Sequence, residues 1–246
     1  MSHLAENLAR IEERIERACR TAGRLRSDVE LMAVSKTFPA EDILAAEALG
    51  ITLFGENRVQ EWSQKVTSLS PKHESTKHHL IGHLQSNKAA RAVELFDGID
   101  SLDSLKLAER LNDAAAKLGK RLPVLIEVKL STEETKAGLD PDAVDTAQLL
   151  ERLPDLSNLE THGLMTIAPW GAPDDETRAC FRALHELRDK WAAAHPRLNI
   201  QTLSMGMSGD FELAIAEGAT RIRVGTALFG KRTPEALRAA AEMEQG

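Results

Sequence analysis

The 246-residue chain contains no tyrosine, so no phenol can serve as an acid, a base or a nucleophile. It has only two cysteines, Cys19 and Cys180, in segments with helical periodicity and without metal-ligand spacing. That excludes a disulfide framework and a thiolate metal site, and it fits reduced thiols in a cytoplasmic protein. No apolar run reaches the about eighteen residues that a membrane span requires. The first twenty residues, MSHLAENLARIEERIERACR, are charged throughout and lack the apolar centre of a secretory signal. Positive charge is also in deficit. A net charge of −7 argues against a broad nucleic-acid surface and against an anionic membrane partner.

What the chain does have is regular alternation. Leu4, Leu8, Ile11, Ile15 and Ala18 form one helical stripe that Gly23 closes, which predicts an N-terminal helix over 1–23. Short apolar runs then predict strands at 29–35, 51–54, 79–82, 96–100, 123–130, 159–164, 199–203 and 220–224. Helical spacing fills the intervals near 40–49, 57–69, 85–94, 103–118, 141–151, 175–193 and 208–217, and a last helix fits 234–244. The clearest stripe is Leu105, Ala108, Leu111, Ala115 and Leu118. Strands separated by helices require a parallel sheet with helical crossovers. Eight such units predict an α/β (β/α)8 TIM barrel with an extra N-terminal helix, as one domain over 1–246; a doubly wound open sheet is the rival. The longest expected loop is 169–175 (PWGAPDD).

In such barrels chemistry gathers at the C-terminal ends of the strands. Lys36 ends the first one, after the apolar run 31–34. Apolar walls disfavour the charged form of an amine and leave a nucleophile able to form a Schiff base with a carbonyl. The plainer reading is a strand-end lysine that snorkels to solvent. A second feature follows strand seven: L-S-M-G-M-S-G-D-F, 203–211, leads glycines and small residues into a helix, a pattern that can aim several backbone N–H groups at one anion. A third, R-V-G-T at 223–226, follows strand eight. Loops seven and eight are the usual phosphate site of this barrel, and an amine facing a phosphate cradle describes a pyridoxal phosphate pocket. If Arg223 points at the pyridine nitrogen, its charge opposes protonation there and weakens the ring as an electron sink. A lysine aldolase acting on a phosphorylated sugar would use the same geometry without a cofactor, with Glu56 or Lys129 as proton shuttle, and would be colourless.

Six blocks carry a family resemblance: A-V-S-K-T (33–37), F-G-E-N-R-V-Q-E (54–61), H-L-I-G-H-L-Q-S-N-K (79–88), G-L-M-T (163–166), L-S-M-G-M-S (203–208) and R-V-G-T-A-L-F-G (223–230). They resemble, in order and along nearly the whole chain, the pyridoxal phosphate homeostasis family, whose members have the barrel fold of the alanine racemase N-terminal domain. The resemblance implies that Lys36 carries pyridoxal 5'-phosphate as an aldimine. It implies that Ser204, Gly206, Met207, Ser208, Gly225 and Thr226 hold the phosphate, that Arg223 meets the pyridine nitrogen, and that Asn57 and Met165 line the pocket. It further implies a protein without turnover of its own that stores the cofactor or hands it to recipient apo-enzymes, in intracellular vitamin B6 and amino-acid balance. The chain departs from the family pattern at Arg58, often aromatic, at His83, often proline, and at Lys129, often asparagine. The competing reading is a racemase-like enzyme. A racemase needs a second base opposite the lysine. With no tyrosine, and with only residues 225–246 after strand eight, the two-domain tyrosine design is excluded and a monomer is expected; His79 or a cysteine would have to serve instead. His78 and His79 are adjacent on a strand, so they face opposite sides and cannot share a metal.

Overall fold

The computed structural model describes residues 2–69, 76–130 and 137–230. Helix α1 (His3–Thr21) starts where the Ser2 hydroxyl accepts the Ala5 N–H, and it buries Ile11, Ile15 and Cys19. The chain then alternates. Strand β1 (Glu30–Val34) is followed by α2 (Ala40–Ala48), β2 (Leu53–Glu56) by α3 (Val59–Lys65), and β3 (Lys77–Leu80) by α4 (Ala89–Leu95). Strand β4 (Gly98–Leu102) leads to α5 (Leu105–Lys117), β5 (Leu122–Glu127) to α6 (Val144–Arg152), and β6 (Leu159–Met165) to the long α7 (Asp174–Ala194). Two short units close the order: β7 (Thr202–Ser204) with α8 (Phe211–Ala216), and β8 (Arg221–Val224) with α9 (Thr226–Phe229).

The eight strands form one closed parallel barrel, with β8 returning to β1 through Met32↔Arg223 and Ala33↔Val224. Closure removes both sheet edges and fixes which strand ends are neighbours. The open-sheet alternative is therefore excluded. The main core lies between barrel and helices. There Trp62 stacks on His78 at 4.1 Å between centroids, and its indole N–H donates to Leu95 O.

Three differences from the sequence reading are physical. First, β2 runs to Glu56, past the apolar run at 51–54, because an ion pair described below lets a carboxylate continue the ladder. The β3 and β4 windows are likewise displaced by two residues, to 77–80 and 98–102. Second, the buried face of α5 is Leu107, Ala108, Leu111, Ala114 and Ala115, while Leu118 at its C-cap is half exposed. Its apolar positions allow two overlapping stripes, and packing against the barrel selects one. Third, α9 was not anticipated, and the helix expected over 234–244 lies outside the described residues. No helix among the described residues is long and apolar enough to cross a membrane.

Candidate functional site

Lys36 sits two residues beyond β1, and both of its neighbours are fixed. On one side, Ser35 continues the ladder by donating its N–H to Gly55 O. The Ser35 hydroxyl donates to Glu56 Oε1 at 2.8 Å. On the other side, Thr37 is at φ 68°, the left-handed region that a β-branched residue rarely occupies. Its N–H donates to Glu61 Oε1. Lys65 ties the two sides together. Its ammonium lies 2.6 Å from Glu61 Oε1, 3.1 and 3.2 Å from the two Glu56 oxygens, and 2.9 Å from Ser35 O. Glu61 and Lys65 are one helical turn apart on α3, so that helix braces the backbone on both sides of Lys36. Burial dominates at Glu56 and pushes its carboxyl up to about 7, with Lys65 pulling the other way. Glu56 is thus a structural member of this brace. The Lys36 amine reaches the Asn57 side-chain oxygen at 3.5 Å.

Lys36 and Asn57 line a cavity of about 240 Å³, together with Ile81, His83, Glu127, Lys129 and Ile167 among others. Glu127 is the residue that the sequence reading did not single out. It ends β5, is buried, and its Oε2 has no hydrogen-bond partner among the described residues. Burial pushes its carboxyl up to about 7; Asp103 adds to this, and Arg223 and His83 oppose it. The signal was the same as at Lys36, a charge at the C-terminal end of an apolar strand. It was hidden because 123–130 reads as one continuous strand.

Next to β1 around the barrel mouth, the loops after β8 and β7 form a second wall. The ladder continues past β7 through Met205 N–H to Arg221 O and Arg223 N–H to Gly206 O. Gly206 has φ 90°, and a Cβ there would lie 2.5 Å from Ala214 Cβ, so only glycine lets the loop turn over α8. Beyond it, the backbone N–H groups of Ser208, Gly209, Gly225 and Thr226 have no acceptor among the described residues. The Ser208 hydroxyl reaches Ala227 N at 3.5 Å, which brings the two loops together. Helix α1 backs this wall. Arg14 pairs with Glu212 at 2.7 Å and donates to Ser208 O, and Asn7 donates to Leu228 O at 2.8 Å.

The predicted site residues are thus brought to one end of the barrel at different depths. Lys36 and Asn57 line the cavity; Met207, Ser208, Gly225 and Thr226 reach the surface of the neighbouring wall. Ser204, Met165 and Gly206 are buried behind it. Arg223 is buried as well. It donates to Ser204 O and Oγ at 2.8 and 2.9 Å and to Thr166 O at 2.8 Å, which occupies three of the five N–H groups of a guanidinium. Burial is the largest influence on it and lowers its basicity. Of the departures from the family pattern, Arg58 is the N-cap residue of α3, His83 pairs with Asp103 at 2.8 Å, and Lys129 lines the cavity.

The family model for the alanine racemase N-terminal domain matches residues 7–233. The pyridoxal phosphate homeostasis protein of Vibrio cholerae is 43% identical over 236 residues, 94% of this chain and 98% of that protein. The chain belongs to the pyridoxal phosphate homeostasis protein family. The Pasteurella multocida member is 41% identical over 93% of this chain and 97% of its own. Among solved structures, PipY of Synechococcus elongatus with PLP bound superposes with a TM-score of 0.82 at 44% identity, over 93% of this chain and 100% of that one. Likeness to the alanine racemase of Clostridium difficile is of fold alone: 16% identity and a TM-score of 0.67, over 94% of this chain but 57% of the racemase.

Proposed function

We propose that this member of the family binds pyridoxal 5'-phosphate through a Schiff base to Lys36 and serves intracellular cofactor homeostasis without catalytic turnover of its own. The observation that carries this reading is the adjacency of an amine and an anion cradle. β1 and β8 are hydrogen-bonded neighbours up to Ala33↔Val224, so the segment after β1 that carries Lys36 leaves the barrel next to the loop that starts at Gly225. The residues fit the group. Four unsatisfied N–H donors with the Ser208 and Thr226 hydroxyls suit a phosphate dianion. The cavity beside Lys36 has room for further ligand atoms. When bound, the cofactor supplies a carbonyl carbon that exchanges between amines. The chain's own part is to hold the Lys36 amine against the mouth through the Glu56–Lys65–Glu61 brace and to bind the phosphate. Arg223, Asn57 and Met165 are assigned to the surroundings of the ring.

Absence of turnover is supported by composition and by His79. No tyrosine can provide a second base, and His79 is committed to Asp100 at 2.8 Å inside the barrel. Relatives named for homeostasis point the same way. A monomeric cytoplasmic protein that passes its cofactor to recipient apo-enzymes completes the reading.

The test is an absorbance spectrum with and without added pyridoxal phosphate, followed by borohydride reduction and peptide mapping. A long-wavelength band, with the reduced adduct on Lys36 and its loss in Lys36→Ala, is the expected result. A colourless protein that cannot be trapped, or a full adduct in Lys36→Ala, overturns it.

A further inference from the structure

The cavity that Lys36 enters is larger than one amine needs, and its far wall is chemically distinct from the phosphate cradle. Glu127 closes it from the end of β5, on the opposite side of the barrel from β1. Its surroundings seat it firmly. The segment 137–139 folds back over the strand end, with Leu139 N–H donating to Glu127 O and Lys129 N–H to Leu139 O. Gly138, at φ 114°, lies so close that an added Cβ would stand 3.3 Å from Glu127 Cγ and 2.9 Å from Lys129 N. Glu127 is 4% exposed, yet Oε2 has no hydrogen-bond partner among the described residues. Burying a carboxylate oxygen without a partner is costly, and natural proteins retain such a group where a ligand satisfies it. Lys36 and Lys129 line the same cavity, as does His83, which is paired with Asp103. A buried carboxylate oxygen on a small cavity that also bears lysines matches a zwitterion, whose ammonium satisfies Glu127 and whose carboxylate is drawn to the lysine side of the cavity.

We propose that this cavity is a binding site for a free α-amino acid, in which Glu127 receives the ligand's ammonium group and takes one of its protons. The ammonium N–H bond breaks and its proton passes to Glu127 Oε2, leaving an electron pair on nitrogen. That neutral amine is the species able to displace Lys36 from the cofactor's carbonyl carbon. As the new C–N bond formed, the bond to Lys36 would break, and the departing lysine amine would take up from Glu127 the proton that the ligand's ammonium had given. No proton is gained or lost overall, and no oxidant is needed. Glu127 is in this way the gate through which amino-acid concentration acts on cofactor release. The exchange step rests on the cofactor reading; the ammonium site does not. The charged groups facing Glu127 are Asp103 after β4, His83 after β3, Arg223 on β8, and the lining lysines Lys36 and Lys129.

The experiment separates the two. Glycine is titrated calorimetrically into the chain freed of cofactor, at pH 8 and pH 6, for wild type, Glu127→Gln and Glu127→Asp. Loss of a charge-assisted hydrogen bond in Glu127→Gln is expected to weaken binding at pH 8 by about tenfold or more. Wild type is expected to weaken from pH 8 to pH 6 as Glu127 takes up a proton; Glu127→Gln is expected to lose that dependence, and Glu127→Asp to keep part of it. Equal affinities and pH profiles in wild type and Glu127→Gln, or no glycine binding by wild type, would overturn the site. Borohydride trapping on the wild type decides the cofactor reading separately. If Lys36 is trapped, glycine should release the adduct about tenfold more slowly or worse in Glu127→Gln; an unchanged rate removes Glu127 from the exchange.

Discussion

The barrel holds two clusters of charge, each centred on buried groups, and they are built on opposite terms; in the first, Glu30 is the exposed member. Toward the N-terminal end of the strands, Glu30 and Arg221 pair at 2.7 Å, Arg221 also reaches Asp100 at 3.0 Å, and Asp100 meets His79 at 2.8 Å. Burial pushes the Asp100 carboxyl up, but His79 and Arg221 outweigh it and hold it below the usual carboxylate range. At the C-terminal mouth, burial wins at both Glu56 and Glu127, and Glu127 Oε2 has no hydrogen-bond partner among the described residues. The lower cluster is satisfied by the chain alone and holds the fold. The upper one is satisfied by the chain only in part.

Breaking the lower cluster should have the largest effect. Arg221→Met removes one side of a buried pair and leaves Asp100 with His79 alone. It is expected to cost about 4 kcal/mol, as other broken buried pairs do, read as a shift of the urea midpoint at pH 7. The upper cluster should respond with the opposite sign. The folded chain holds the Glu127 proton up to about pH 7, whereas an unfolded glutamate releases it near 4.5. Wild-type stability therefore falls as pH rises through that window and stays lowered above it. Glu127→Gln is expected to remove the Glu127 share of this fall, leaving the share that Glu56 contributes in the same window, and to be more stable than wild type at pH 8, by up to about 3 kcal/mol, with little difference below pH 4.5. Urea unfolding at pH 4.5 and pH 8 measures it. A Glu127→Gln protein that loses stability at pH 8 would place Glu127 with the structural cluster after all.

The smallest effect concerns strain beside Lys36. Thr37→Gly relieves the left-handed backbone at a cost in unfolded-chain entropy, and is expected to stabilise by about 1 kcal/mol or less. The gain should come with looser Lys36 positioning, read as slower formation of the trapped Lys36 adduct. A clear loss of stability would mean that the Thr37 side chain contributes more than its backbone costs.

Much of this contrast was hidden in the linear chain. The alternation of runs was legible because strand and helix periods differ, and Lys36 stood out as a polar end to an apolar strand. The glycines of 203–209 and 223–226 were legible because chain order alone puts them after the last two strands. The Lys65–Glu61–Glu56 brace was not, since its members lie on a strand and the following helix, and their contact depends on how α3 docks. Glu127 was passed over because its position at a strand end is set by pairing with β6, through Glu127↔Met165 after an irregularity at Val124/Leu125. The half-exposed Leu118 misled for a related reason: a stripe on a helix does not say which edge of it meets the sheet.

The sequence by itself determined the class of fold, the order of its units, the lysine and the two glycine-bearing loops, because each is written in local spacing and residue type. Tertiary structure alone decided which of the buried charges are paired and which is left open. Pairing depends on distances of a few ångströms between residues far apart in the chain, and those distances exist only once the barrel has closed.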